Sequence, residues 1–282
     1  MMRSKIIFFH LVIACFLHFS CYAVPFAMNK ASPADNLAFL RSSKKKTKIL
    51  RSGMHSSVLN VRGGGASSVD DFLNAIDLFG TAVFAFSGAL TAGTKGMDIF
   101  GMTIVATVTA VGGGTVRDWI LDCGPVFWIQ KPIFIQISFF VTLFTFYVWP
   151  TLEQRFGWKD SHLAICTADA FGLGAFSVLG TQKPIGMDLK NPLAWVLSGL
   201  ISSCFGGITR DVLCSQKPRV LYPDRTLYAT PPLLGSISYT LLNLYSQLNT
   251  ETVASIAFLV TFLFRVLCFG NPIRMPHWKT EK

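Results

Sequence analysis

Two stretches of this chain repeat one another, separated by apolar segments of membrane-spanning length, and that repeat limits the fold more than any other feature. DLFGTAVFAFSG, beginning at Asp77, returns as DAFGLGAFSVLG, beginning at Asp169. GGGTVRD at 112–118 returns as FGGITRD at 205–211. GMD at Gly96 pairs with GMD at Gly186, and Pro125 pairs with Pro218. The order is kept over roughly fifty residues per copy, so each copy reads as one structural unit.

From Asp71 onward the apolar stretches are spaced for spanning helices. The approximate spans are 72–92, 98–119, 133–152, 163–182, 193–213, 230–248 and 252–269. Only 14% of the 282 residues are charged and 51% are hydrophobic, whereas about 25% charged is usual for soluble domains. The expected fold is therefore an all-α membrane protein with seven transmembrane helices. Three spans per copy is an odd number, so the second copy must enter the bilayer from the opposite side. The copies, 70–158 and 159–250, read as inverted three-helix repeats. The seventh helix, within 251–282, has no counterpart and is expected to pack outside the pair. Inverted repeats are a common plan of secondary transporters, with the site at the repeat interface near mid-bilayer.

The formal charge of +10 does not indicate a nucleic-acid partner. Residues 1–70 hold ten Lys/Arg against two acids, and the remainder fifteen against thirteen. The basicity thus belongs to a leader rather than to a binding face. Residues 1–23 have a basic start, an apolar stretch from Ile6 to Phe19, and small Cys21 and Ala23 at a candidate cleavage site, which reads as a signal peptide or an uncleaved anchor. Residues 24–69 are Ser-, Lys- and Arg-rich and read as a transit-like stretch directing the chain to a plastid membrane, or as a basic disordered tail. On the side holding residue 70, the loops carry Lys131, Lys183 and Lys190. The opposite side carries nine basic residues, including Lys95, Arg219 and Arg274. The positive-inside rule then places the C-terminus in the cytosol or its organellar equivalent.

The second and fifth spans carry the expected chemistry. Glycine costs about 1 kcal/mol in a helix interior relative to alanine, so Gly112-Gly113-Gly114 and Gly206-Gly207 are expected to break their helices at matching depths. Bare peptide groups in hydrocarbon must line a cavity or be buried in protein, and freed N–H groups and carbonyls there suit a zwitterion or an ion. Arg117 and Arg210 follow the glycines. A charge within the bilayer costs at least about 2.5 kcal/mol, so each is expected to find a partner. Adjacent helical residues point about 100° apart. The expected pairs are therefore crossed, Arg117 with Asp211 and Arg210 with Asp118, unless the arginines meet solute. Asp77 and Asp169 hold matching early positions in the first and fourth spans. They read either as cation or proton sites or as helix-start caps, and the cap suits Asp77, which lies near the predicted boundary.

No GxSxG, HExxH or phosphate-loop motif is present. The seven cysteines form no CxxC pair. No enzyme, cofactor or metal site is expected. A small-solute carrier, a cation channel and a structural membrane subunit are left as readings, in that order, with an intramembrane enzyme using the Arg-Asp pairs last.

DLFGTAVFAFSGAL, MDIFG, GGGTVRD, DAFGLGAFSVLG, GGITRDVL and LYATPPLLG together resemble the two-repeat membrane family of glycine transporter domain proteins, over about residues 72–270. That family is in turn similar to the trimeric intracellular cation channels. The resemblance implies a seven-helix protomer, a homotrimer, kinks in the second and fifth helices, and a path for a small solute or monovalent cation. Phe205 replaces the leading glycine of the second copy, a departure that implies a narrower path on that side.

Overall fold

The computed structural model describes residues 66–156, 161–222 and 227–270. The signal-peptide and transit readings of 1–69 fall outside the described residues, apart from the first turn of the first helix. Among the described residues the structure is wholly helical: α1 (Ala66–Thr94), α2 (Ile99–Ile120), the single turn α3 (Phe127–Gln130), α4 (Ile133–Phe156), α5 (Ser161–Gly186), α6 (Pro192–Leu213), α7 (Thr230–Tyr245) and α8 (Thr250–Gly270). Six are long and apolar enough to cross a membrane, namely α1, α2, α4, α5, α6 and α8. Helix α7, with 16 residues, is shorter.

Local chemistry sets the helix ends. Asp98 caps α2 by accepting from the Gly101 N–H at 2.7 Å. Asn191 caps α6 by accepting from the Leu193 N–H at 3.1 Å, with Pro192 opening the helix. These caps correct the alignment of the two GMD motifs. The structural counterpart of Asp98 is Asn191, while Asp188 turns into the left-handed region at φ 59°. At their other ends α2 and α6 terminate alike. Asp122 (φ 50°) and Ser215 (φ 53°) reverse the chain. The next N–H groups, of Cys123 and Gln216, return to the Asp118 and Asp211 carbonyls at 3.0 and 2.8 Å. Within the helices, hydroxyls such as Thr109, Thr142 and Thr240 donate to the carbonyl four residues back, which satisfies them without water.

Helices α1, α2, α5 and α6 form the centre. Helix α1 packs on α5 and α2 on α6; α4 flanks the first copy, α7 the second, and α8 lies against α5 and α7. Contacts between the copies are reciprocal. A Cβ on Gly172 would strike the Phe84 ring, and one on Gly80 would sit 3.4 Å from the Phe176 ring. The two rings themselves meet with centroids 5.2 Å apart. Likewise a Cβ on Gly113 would run into the Ser202 carbonyl oxygen, and one on Gly206 into that of Thr109.

That crossing overturns the expectation of broken helices. Both α2 and α6 run as continuous α-helix through their glycines. The glycines remove side chains where two backbones meet, a close approach that van der Waals packing rewards in lipid. The peptide groups there stay in the helical hydrogen-bond ladder, so they offer no free dipoles to a solute.

Candidate functional site

One turn beyond the glycines, the sequence places Arg-Asp pairs at the C-terminal ends of α2 and α6, and the two pairs meet different surroundings. In the second copy Arg210 is fully buried. Its Nη1 donates to Asp169 Oδ1 of α5 and to Ser87 Oγ of α1, each at 2.6 Å. Ser87 Oγ itself lies 2.6 Å from Asp169 Oδ1. Arg210 Nε donates to Asp211 Oδ1 at 3.0 Å. Arg219, in the loop after α6, completes the set. Its Nη1 lies 3.1 Å from Asp169 Oδ2 and its Nη2 3.1 Å from Asp211 Oδ1. Its backbone N–H donates to Asp211 Oδ2 at 3.0 Å. Two arginines thus neutralise two carboxylates, and each carboxylate accepts from both, which is the condition under which buried charge is tolerated.

In the first copy the counterparts are looser. Arg117 donates through Nε and Nη2 to Asp118 Oδ1, at 2.9 and 2.7 Å. The Phe127 N–H donates to Asp118 Oδ2 at 3.2 Å, as Arg219 does to Asp211. Asp77, the counterpart of Asp169, has no ion-pair or hydrogen-bond partner among the described residues. It lines a cavity of about 300 Å³ with Arg117, Asp118, Lys131, Gln182 and Lys183. None of the residues of the Arg210–Asp169 network lines that cavity.

The crossed pairs expected from the sequence do not form. Each arginine takes its own neighbour, because the long guanidinium arm folds back along the helix end to reach the adjacent carboxylate. The 100° argument holds for Cβ directions and not for the tip of an arginine. Nor does Asp77 cap a helix start: α1 begins at Ala66, so Asp77 lies three turns inside. The predicted glycines form the crossing; the predicted charged residues form one filled cluster and one cavity. Sequence reading missed Ser87 and Arg219. Ser87 is 123 residues from the arginine it meets, beyond any local pattern. Arg219 counted only as a loop charge, although its one-residue-offset match to Phe127 lies within the repeat.

The glycine transporter family model matches residues 74–150 and 166–243, one segment on each copy. The chain belongs to the glycine transporter family. It is 34% identical over 207 residues to the UPF0126 inner membrane protein YadS of Escherichia coli strain K12, spanning 73% of this chain and 96% of that one. A UPF0126 membrane protein of Vibrio cholerae is 40% identical over 168 residues, or 60% of this chain and 67% of that one. Among solved structures, the TRIC trimeric intracellular cation channel orthologue from Rhodobacter sphaeroides shares 32% identity and a TM-score of 0.62, covering 69% of this chain and 95% of that one. A second TRIC cation channel structure matches with TM-score 0.64 and 28% identity, over 74% and 98%. This glycine transporter family member is thus a multi-pass integral membrane protein.

Proposed function

We propose that the chain transports a small zwitterionic solute, with glycine the first candidate, and that the solute binds in the cavity at Asp77 and Arg117. The observation that carries this reading is a carboxylate, without an ion-pair or hydrogen-bond partner among the described residues, that shares a cavity at one end of an apolar helix bundle with Arg117, Lys131 and Lys183. Asp77 would take an ammonium group, and Arg117 or Lys183 a carboxylate. Isolated charge inside a membrane is expensive and marks substrate or ion pathways. The reading takes α1, α2, α4, α5, α6, α7 and α8 as two inverted three-helix repeats plus one, assembled as a homotrimer, with the C-terminus on the cytosolic or equivalent side. In it Asp169, Arg210 and Asp211 are the path's second half-site. Gly112, Gly113, Gly114, Gly206 and Gly207 hold the two copies together rather than touching solute.

The test is uptake of radiolabelled glycine into proteoliposomes. Saturable uptake that falls at least tenfold in Asp77→Asn, in protein that still elutes as one species, is the expected result. Uptake no greater than in empty vesicles, or unchanged in Asp77→Asn, would refute it. A second reading, a monovalent cation channel, draws on the likeness to TRIC channel structures at 28–32% identity. Unitary K⁺ currents in planar bilayers, with no saturable glycine uptake, would favour that reading.

A further inference from the structure

We infer that Arg219 closes the path at the end opposite the cavity. The inference rests on the transport reading above for the existence of a path, but not for its test. Along α1, Asp77 lies at one half-site and Ser87 at the other, ten residues or about 15 Å apart. At the Asp77 end there is a cavity. At the Ser87 end the equivalent space holds ion pairs.

The two ends are built on the same scaffold, so what differs between them is informative. Each has an aspartate on the first helix of its copy, an Arg-Asp pair at the end of the second, and a backbone N–H from the following loop donated to that pair's carboxylate. Each also has an aromatic ring pressed on the last glycine of the crossing: Phe127 on Gly114 and Tyr228 on Gly207. Copy one uses Phe127 for both the N–H and the ring. Copy two divides these tasks between Arg219 and Tyr228, which frees position 219 to carry a guanidinium. That guanidinium lies over the Tyr228 ring, 5.6 Å from its centroid, and bridges Asp169 of α5 to Asp211 of α6. Its side chain is 25% exposed, whereas those of Arg210 and Asp169 are fully buried. Arg219 is therefore the outermost member of the network, the one that faces the loop side and ties the loop after α6 down across two helix ends. Among the described residues the cavity end has no such bridge, since no ion pair joins Asp77 to Asp118 through a shared cation.

Two native thiols report on the two ends. Cys123 lines the cavity. Cys214 is buried at the end of α6, its N–H donating to the Arg210 carbonyl at 2.9 Å. Burial pushes both thiols up, so labelling is best run on the alkaline side of neutral. Purified full-length protein is treated with a maleimide, and each cysteine is followed by peptide-resolved mass spectrometry. In wild type Cys123 should react and Cys214 should be protected. In Arg219→Gln the labelling rate of Cys214 should rise at least tenfold, while the buried Cys204 and Cys268 stay protected. Arg219→Lys, which keeps the charge but cannot fork between two carboxylates, should give a smaller rise. Unchanged protection of Cys214 in Arg219→Gln overturns the inference. So does labelling of Cys204 and Cys268 alongside Cys214 in both variants, which would mean that Arg219 holds the whole bundle rather than one end. Absence of glycine uptake with selective exposure of Cys214 would instead leave the closure standing and remove the transport reading.

Discussion

Asp77 and Asp169 are the same residue type at matching positions of a repeat, yet one faces a cavity and the other is shared by two arginines and a serine. The difference lies entirely in what other elements bring. Removing one partner of a buried ion pair leaves an uncompensated charge, at about 3–5 kcal/mol. Arg210→Ala leaves the buried Asp169 and Asp211 to share one cation, Arg219. It is expected to lower the melting temperature in detergent sharply, or to abolish recovery of a monodisperse species. Arg117→Ala, beside a cavity that can hydrate Asp118, should melt much closer to wild type. Thermal unfolding followed by size-exclusion fluorescence measures both, and equal losses would mean that the two clusters are equally dry. The sequence marked Asp77, Asp169, Arg117 and Arg210 by type and spacing. It could not mark their partners, because pairing depends on which helices become neighbours.

At the scale of the element, the glycine runs show how one signal supports two structures. A run of glycines lowers helix propensity, and it also removes every Cβ from one face. In this bundle the second effect wins, since α2 and α6 gain a backbone-to-backbone contact that only glycine permits. The positions are therefore not equivalent. Gly113→Ala and Gly206→Ala each drive a methyl group into a carbonyl oxygen of the opposing helix, and overpacking of this kind typically costs about 1–3 kcal/mol. At Gly112 an added Cβ would lie 3.6 Å from the Gly206 Cα, an ordinary contact. Gly112→Ala should thus leave stability unchanged or raise it by up to about 1 kcal/mol through helix propensity. Melting of the three variants in one detergent tests the ranking. If Gly112→Ala proved the most damaging, the crossing would be misplaced.

For the whole molecule, helix α7 decides the topology. Its 16 residues rise about 24 Å, short of a hydrocarbon core of about 30 Å, yet the repeat requires it to cross, as α4 does in the first copy. Cys123, at the mouth of the cavity, provides the measurement. If α7 spans, Cys123 and the C-terminus lie on opposite faces. An impermeant maleimide should then label Cys123 only from the face opposite a C-terminal tag. Labelling from the tagged face would leave six spans and break the repeat. The proposed homotrimer is checked separately, by cross-linking in native membranes, where the largest specific product should contain three chains.

The sequence alone determined the membrane class, most helix boundaries to within a few residues, the duplication, and six of the charged residues in the two clusters, though not Arg219. These follow from composition, hydrophobic run length and residue identity, which are properties of short stretches of chain. Only the tertiary structure decided that the glycines join helices instead of breaking them. It also decided that Arg210 reaches Asp169 and Ser87, and that Asp169 packs among ion pairs while Asp77 lines a cavity. Those outcomes depend on distances between residues far apart in the chain, and on which of several allowed partners a long side chain meets first once the helices have docked.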